Sequence, residues 1–283
     1  MMGELPISET IDSKVDKLKA SLQEMGSCVV ACSGGTDSLL LATVAHRTLP
    51  DGCFIAHAIS PAVPAEDTSR VRENAAREGW QLRVVEPAEF ADENYLSNPL
   101  NRCYFCKSNL YTALIPLAKE LAKDSSIPAA VLSGANCDDL SEYRPGLEAA
   151  REHGIRHPFV EAGMDKSDIR ALAESLDLPF ADLPASPCLS SRLYTGTRVT
   201  PERLAAVQFA EGKVKEVTGI RVVRARMKGD HMLIEVPAAD RPSLPESTLK
   251  QVRRDILAKY AFIESLELDP EPYRAGRSFQ TQG

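Results

Sequence analysis

The sequence predicts an α/β protein, a doubly wound parallel sheet followed by a smaller C-terminal α+β domain. Two observations carry that prediction. From residue 27 to about residue 176, short apolar runs alternate with helix-patterned stretches, as strands joined by crossover helices and buried on both faces do. After Cys188 the alternation stops, and two segments of period-two pattern flank a tight turn. The 283 residues suffice for at least one full core and place the chain near two domains.

Each element has a local reason. Ile11, Val15, Leu18, Leu22 and Met25 recur at spacings of three and four residues, the stripe of an amphipathic helix. The apolar run 27–32 reads as a buried strand, the polar hexapeptide 33–38 breaks it, and 39–49 reads as a helix. Further strands are expected at 53–59, 82–85 and 129–133. Helices are expected at about 65–79 and 103–123, the second kinked by Pro116. Asp165 is placed to cap a helix running to 176. Thr200 and Pro201 form an N-cap and first-turn proline for a helix to about 217. Residues 220–227 and 231–236 read as a hairpin around Lys228, Gly229 and Asp230, followed by a helix at about 246–259 and a strand at 262–268. The change of pattern at 185–198 divides the chain into 1–188 and 189–283.

Composition narrows the function classes. Thirty-three basic against forty acidic side chains leave a net charge of −7, with 43% apolar and 26% charged residues. That balance excludes a disordered chain and weighs against a nucleic-acid partner held by bulk charge. No run of eighteen apolar residues predicts a membrane span, and the polar N-terminus lacks an apolar signal core, so a cytoplasmic location is expected. Seven cysteines, an odd number, point to thiols, metal ligands or catalysis rather than a disulfide framework.

The most informative local feature is Ser33-Gly34-Gly35-Thr36-Asp37-Ser38 between a strand and a helix. Glycines let the backbone approach an anion, and a helix N-terminus aims unpaired N–H groups at it. Ser33 and Ser38 add hydroxyls, and Asp37 is placed to hold a magnesium ion on the phosphates. The plain alternative is a glycine-rich turn with an aspartate cap; the whole hexapeptide directly after an apolar strand favours phosphate binding.

This hexapeptide resembles the signature of the PP-loop ATP pyrophosphatase superfamily over about residues 27–185, which implies an adenine nucleotide alpha hydrolase-like fold. Members hold ATP by its pyrophosphate end and transfer AMP to a carboxylate or carbonyl oxygen, after which nitrogen or sulfur attacks the activated carbon. Two further stretches match. Ser133-Gly134-Ala135-Asn136 with Asp138 and Asp139 ends a strand, where α/β sheets bind ligands. Lys166-Ser167-Asp168-Ile169-Arg170 opens a helix, where Lys166 either reaches a phosphate or belongs to a solvated face.

Cys103-Tyr104-Phe105-Cys106 is a CxxC pair beginning a helix, and Cys188 lies in a polar, proline-flanked stretch far along the chain. CxxC by itself reads as a redox dithiol, half a zinc site or part of an iron–sulfur site. Cys28, Cys32, Cys53 and Cys137 lie in or beside strands and read as inert core thiols. The five histidines read as non-catalytic, none pairing with a cysteine or carboxylate at ligand spacing.

Glu142-Tyr143-Arg144-Pro145-Gly146, the Cys188–Arg192 run with Tyr194-Thr195-Gly196-Thr197, Arg224 and Arg226 on one strand, and Tyr273-Arg274-Ala275-Gly276-Arg277 together resemble the LarE family over nearly the whole chain. The resemblance implies an ATP-dependent sulfur transferase that adenylates a carboxylate of pyridinium-3,5-biscarboxylic acid mononucleotide and makes a thiocarboxylate for the nickel-pincer cofactor. Some members sacrifice the sulfur of the cysteine matching Cys188. Three cysteines resemble the subgroup in which Cys103, Cys106 and Cys188 would hold a [4Fe-4S] cluster carrying an extra sulfide. The implied cofactors are ATP, Mg2+ on Asp37 and that cluster, with Ser33, Gly34, Gly35, Asp37, Ser38, Gly134 and Lys166 on the nucleotide. Arg192, Arg224 and Arg226 have forked donors suited to the substrate's phosphate and second carboxylate, with Glu211, or less strongly Glu235, orienting an arginine or binding a metal. The plain reading of Arg224 and Arg226 is an exposed pair on one strand face. A homo-oligomer built through residues 189–283 and a sulfur donor protein or free sulfide are the implied partners. Rival readings are a tRNA thiolation enzyme, disfavoured by the acidic balance and the lack of a basic stripe, an ammonia-dependent amidating synthetase, which needs no CxxC, and a non-enzymatic nucleotide-binding regulator.

Overall fold

The computed structural model describes residues 10–123, 128–141 and 144–274. In chain order the elements are α1 (Ile11–Met25), β1 (Cys28–Ala31), α2 (Thr36–Thr48), β2 (Cys53–Ala58), α3 (Ala65–Glu78), β3 (Gln81–Val85), α4 (Glu93–Leu96), α5 (Arg102–Leu121), β4 (Ala130–Ser133), α6 (Pro145–Glu152), α7 (Pro158–Glu161), α8 (Lys166–Ser175), α9 (Pro201–Thr218), β5 (Arg224–Lys228), β6 (His231–Glu235), α10 (Glu246–Lys259) and β7 (Ser265–Leu268). The helix α5 runs through Pro116 without a break, and α2 begins three residues earlier than its apolar pattern, inside the glycine hexapeptide. No described helix is long and apolar enough to cross a membrane. Glu142, Tyr143 and the run Ala275–Gly276–Arg277 lie outside the described residues.

The chain forms two compact units. The first holds the described residues of Met1–Ile59, Ala65–Pro87 and Cys106–Ser186, the second those of Ser60–Pro64, Ala88–Phe105 and Pro187–Gly283. The units interleave in sequence because two loops of the N-terminal half bond to the C-terminal chain. In the second unit Leu189 N–H donates to the Ala62 carbonyl at 2.8 Å, and Val199 N–H to that of Leu96 at 2.9 Å.

In the first unit four parallel strands lie in the order β3-β2-β1-β4, with Ala31 level with Ala56 on one side and Ser133 on the other. The strand order reverses beside β1, so the loops after β1 and β4 open at the topological switch point, where α/β sheets take their ligands. Cys28 and Val30 face a core with Leu18 and Leu22 of α1 and Leu39, Leu40 and Leu41 of α2, while Val29 and Phe54, outside that cluster, are buried as well. Helices flank the sheet, as a fully parallel sheet requires.

The second unit carries a mixed sheet in the order β5-β6-β7. Strands β5 and β6 pair antiparallel through the turn at Gly229 and Asp230, and β7 runs parallel to β6. Thr200 accepts the Arg203 N–H at 3.2 Å, so α9 starts where the threonine–proline pair places it. Its buried Leu204, Val207, Ala210 and Val214 pack toward β5 and α10. Leu40→Ala is expected to destabilise the first unit by about 2–5 kcal/mol through lost burial and a cavity, measured by denaturant unfolding.

Candidate active site

Between β1 and α2 the chain turns through Cys32, Ser33, Gly34 and Gly35. Gly34 has φ of 90°, and a Cβ there would stand 2.8 Å from the Asp67 carbonyl oxygen, so only glycine fits. Ser38 closes the turn from within. Its hydroxyl accepts the Ser33 N–H at 3.1 Å, lies 3.2 Å from the Ser33 hydroxyl and donates to the Gly35 carbonyl at 3.0 Å. Ser38 thus shapes the loop rather than reaching outward. The N-cap of α2 is Gly35, which has no side chain to cap the first-turn N–H groups of this thirteen-residue helix, an arrangement suited to anions.

Gly134, just after β4, lies against this helix start. A Cβ on it would come within 3.0 Å of the Ser38 nitrogen and 3.1 Å of the Asp37 carbonyl carbon. The approach lets fully buried Asn136 donate from Nδ2 to Asp37 at 2.9 Å, while Asp139 accepts the Asn136 N–H at 3.1 Å. Burial raises the Asp37 pKa above the ordinary aspartate value, against the attraction of Lys166, with Asp139 adding repulsion. Lys166 and Arg170 are exposed and line an open cleft of about 560 Å³ with Asp138, Asp165 and Glu174. Lys166 is therefore both solvated and close enough to act on Asp37.

A brace that the sequence did not disclose holds the loop from behind. Asp67, 3% exposed, accepts Arg70 Nη1 at 2.8 Å and the Ser186 hydroxyl at 3.0 Å, while the same Arg70 nitrogen donates to the Gly34 carbonyl at 2.6 Å. His57 bridges the Cys32 carbonyl and Thr68 Oγ1, each at 2.9 Å, and burial lowers its pKa.

The second unit gathers the predicted arginines. Arg192 meets Glu211 through two hydrogen bonds of 2.8 and 3.1 Å, and its Nη1 donates to the Pro187 and Cys188 carbonyls at 2.5 and 3.1 Å. Burial opposes the Arg192 charge, but the Glu211 hydrogen bonds and charge outweigh it and raise the pKa. Arg226 donates to Glu235 at 2.9 Å and to the Ser191 carbonyl at 3.0 Å. Arg224 stands 5.3 Å from the centre of the Tyr273 ring, its pKa lowered by burial and then by the neighbouring Arg192. Arg224 and Arg226 are 8% and 4% exposed, which sets aside the alternative of an exposed pair: the loop 188–192 and the chain near Tyr273 supply partners that strand periodicity does not show. Glu235, the weaker candidate in sequence, carries the ion pair to Arg226.

The cysteines divide by environment. Cys28 and Cys53 face each other across in-register strands at 3.6 Å between sulfurs, and burial pushes the Cys32 thiol to about 11. Cys137 is only partly buried, because it starts a 3₁₀ turn rather than ending the strand. Cys103 and Cys106 are partly buried on one turn of α5, and Cys188 is exposed. Among the described residues no three His, Cys, Asp or Glu side chains are grouped to hold a metal ion.

No protein-family model matches the chain. An uncharacterized protein of Synechocystis sp. is 35% identical over 267 residues, covering 94% of this chain and 97% of its own. The pyridinium-3,5-bisthiocarboxylic acid mononucleotide synthase of Lactiplantibacillus plantarum is 33% identical over 231 residues, 81% of this chain and 82% of its own. An uncharacterized Methanocaldococcus jannaschii protein is 28% identical over 201 residues, 70% and 74% of the two chains. Fold and loop define the class, a parallel α/β protein with a glycine turn at an open helix N-terminus on its switch point. Within that class the chain belongs to the LarE-like family of the Lactiplantibacillus plantarum synthase.

Two measurements follow from this geometry. Glu211→Ala leaves Arg192 buried without its carboxylate and is expected to cost about 3–5 kcal/mol of stability in denaturant unfolding. For Asp37 the folded protein binds the proton more tightly than the unfolded chain, so stability falls as pH rises from the ordinary aspartate value through the raised one. Asp37→Asn is therefore expected to raise the thermal midpoint at neutral pH, with the gain disappearing in acid below both values.

Proposed function

We propose that the chain is an enzyme, an ATP-dependent sulfur transferase that converts a carboxylate of pyridinium-3,5-biscarboxylic acid mononucleotide into a thiocarboxylate on the way to a nickel-pincer cofactor. The observation that carries this reading is the open N-terminus of α2 beside Asp37, in a chain 33% identical to a thiocarboxylate synthase. Ser33, Gly34, Gly35, Ser38 and Gly134 shape the cradle, the α2 N–H groups take the phosphates, and Lys166 draws the anion from the cleft side. Magnesium is held by one or two carboxylates and the phosphates, and Asp37 fits that donor set; the ion neutralises phosphate charge when bound. A cation beside Asp37 would also relieve the strain of its burial.

The substrate carboxylate oxygen attacks the α-phosphorus and the bond to pyrophosphate breaks. A sulfur nucleophile then attacks the acyl carbon and AMP leaves with the oxygen. Arg224 and Arg226 are proposed to face the substrate's phosphate and second carboxylate. Arg192, paired with Glu211, holds the Pro187 and Cys188 carbonyls and so shapes that side of the site. Cys103, Cys106 and Cys188 are proposed to handle the sulfur. A [4Fe-4S] cluster on these three thiolates would carry sulfide as the nucleophile when bound. Residues 1–188 are proposed as the nucleotide domain and 189–283 as the domain for substrate and self-association, in a cytoplasmic homo-oligomer supplied by sulfide or a donor protein.

The test is pyrophosphate release and mass spectrometry of the pyridinium substrate with ATP and magnesium. Cys188→Ser is expected to keep substrate-dependent pyrophosphate release and lose the thiocarboxylate. Release that depends on tRNA or ammonia instead would overturn the reading.

A further inference from the structure

We propose that Arg102 is a positioning residue, whose guanidinium fastens the start of α5, and Cys103 with it, to the loop that carries Cys188. An arginine at the first position of a helix normally extends into water; this one is 3% exposed. Its Nη1 donates at 2.6 Å to Asn98 Oδ1 and at 2.8 Å to the Ser190 carbonyl. Asn98 is 1% exposed and left-handed at φ of 55°, and its Nδ2 donates at 2.8 Å to both the Tyr194 and Thr197 carbonyls. The Asn98 carbonyl in turn accepts the Gly196 N–H at 2.9 Å, and the Tyr95 hydroxyl lies 2.7 Å from that of Ser190. Every one of these bonds lies inside the second unit.

The arrangement has a direction. Arg102 is covalently next to Cys103, and Ser190 is two residues past Cys188, so one planar side chain spans the two thiol-bearing segments. Asn98 extends the tie to the far end of the same loop. The planar guanidinium fixes the two N–H directions of Nη1 that these bonds use, whereas the three donors of a lysine ammonium rotate on a flexible stem. Fixing two thiols in advance removes the entropy loss that bringing them to one ligand would otherwise impose. That consequence rests on the sulfur-transfer reading; the fastening itself does not.

Two readouts separate the claims. In the reduced, chelator-treated full-length chain, a short bifunctional thiol reagent such as dibromobimane is expected to link Cys103 to Cys188, mapped by peptide mass spectrometry. Cys103 and Cys106, one helical turn apart, serve as an internal control. Arg102→Gln is expected to lower the Cys103–Cys188 product by about tenfold and leave the Cys103–Cys106 product unchanged. Arg102→Lys is expected to restore part of it. Asn98→Gly keeps the left-handed backbone while deleting the amide, and is expected to lower the same product if Arg102→Gln does not fold. The turnover number for thiocarboxylate is expected to fall in parallel, with KM for ATP in pyrophosphate release unchanged. Wild-type yield of the Cys103–Cys188 product in both variants, its absence from the wild type, or equal loss of both products overturns the positioning role. Intact cross-linking behaviour in a wild type that makes no thiocarboxylate overturns the functional reading alone.

Discussion

The head of the first unit depends on residue 134 having no side chain. A single methyl group there would press on the backbone of Asp37 and Ser38, and the end of β4 would have to retreat from the start of α2. Asn136 would then lose its reach to Asp37, and Asp37 would lose the partner that makes its burial tolerable. The close approach is itself a product of register. Because β1 pairs level with β2 and β4, the loops after β1 and β4 leave the sheet side by side, and glycine is the residue that lets them touch. An open helix N-terminus and a carboxylate with a raised pKa are unfavourable in isolation, and each is relieved by a ligand of the opposite sign.

The second unit solves a different problem. Arg192, Arg226, Glu211 and Glu235 are each at most 5% exposed, and taking such charges out of water costs more than a generic ion pair returns. Their value lies in direction. Each arginine uses its carboxylate on one edge and the carbonyls of residues 187, 188 or 191 on the other, so charge burial is converted into a fixed loop. The same logic recurs at Arg102, which holds the Asn98 amide oxygen and the Ser190 carbonyl from one nitrogen. Backbone acceptors on an irregular loop have no ladder to join, and buried guanidinium groups satisfy several at once.

How much of this is legible in sequence follows from what each residue needs. Periodicity places α1, β1, β2 and the β5–β6 hairpin because their constraint is burial along one element. The glycine hexapeptide is legible because backbone conformation and anion binding demand the same residues at fixed spacing. Gly134 and Asp37 are legible through the same chemistry, although their contact is not. The brace of Asp67 and Arg70 escapes notice because an aspartate three residues before an arginine on a polar helix looks like a solvated ion pair. Asn98 sits before a proline, where a turn is the natural expectation and its fourfold use as an internal bridge leaves no trace in spacing. Arg224 and Arg226 show the converse: alternation on a strand fixes that they share a face, but whether that face meets water depends on a loop some thirty residues earlier.

Seven cysteines of equal appearance in composition end in distinct chemical situations, and the difference is one of solvent rather than sequence. Cys32 needs a strongly alkaline medium to ionise, and Cys53 is held protonated by the Cys28 thiol opposite and by burial. Neither can act as a nucleophile while the sheet is intact, because a thiolate there would lie in an apolar core. Cys188 is the opposite case. It is exposed, its carbonyl is held by Arg192, and the residues following it are tied through Ser190 and Ser191 to two further arginines. A thiol on a loop gains rotational freedom with exposure, which works against productive chemistry unless the backbone is fixed. Three guanidinium groups on the carbonyls of Pro187, Cys188, Ser190 and Ser191 provide that fixation while leaving the sulfur outside the core. The exposed thiol and the side chains that hold its loop in place are thus kept separate, which allows the thiol to be accessible without being loose.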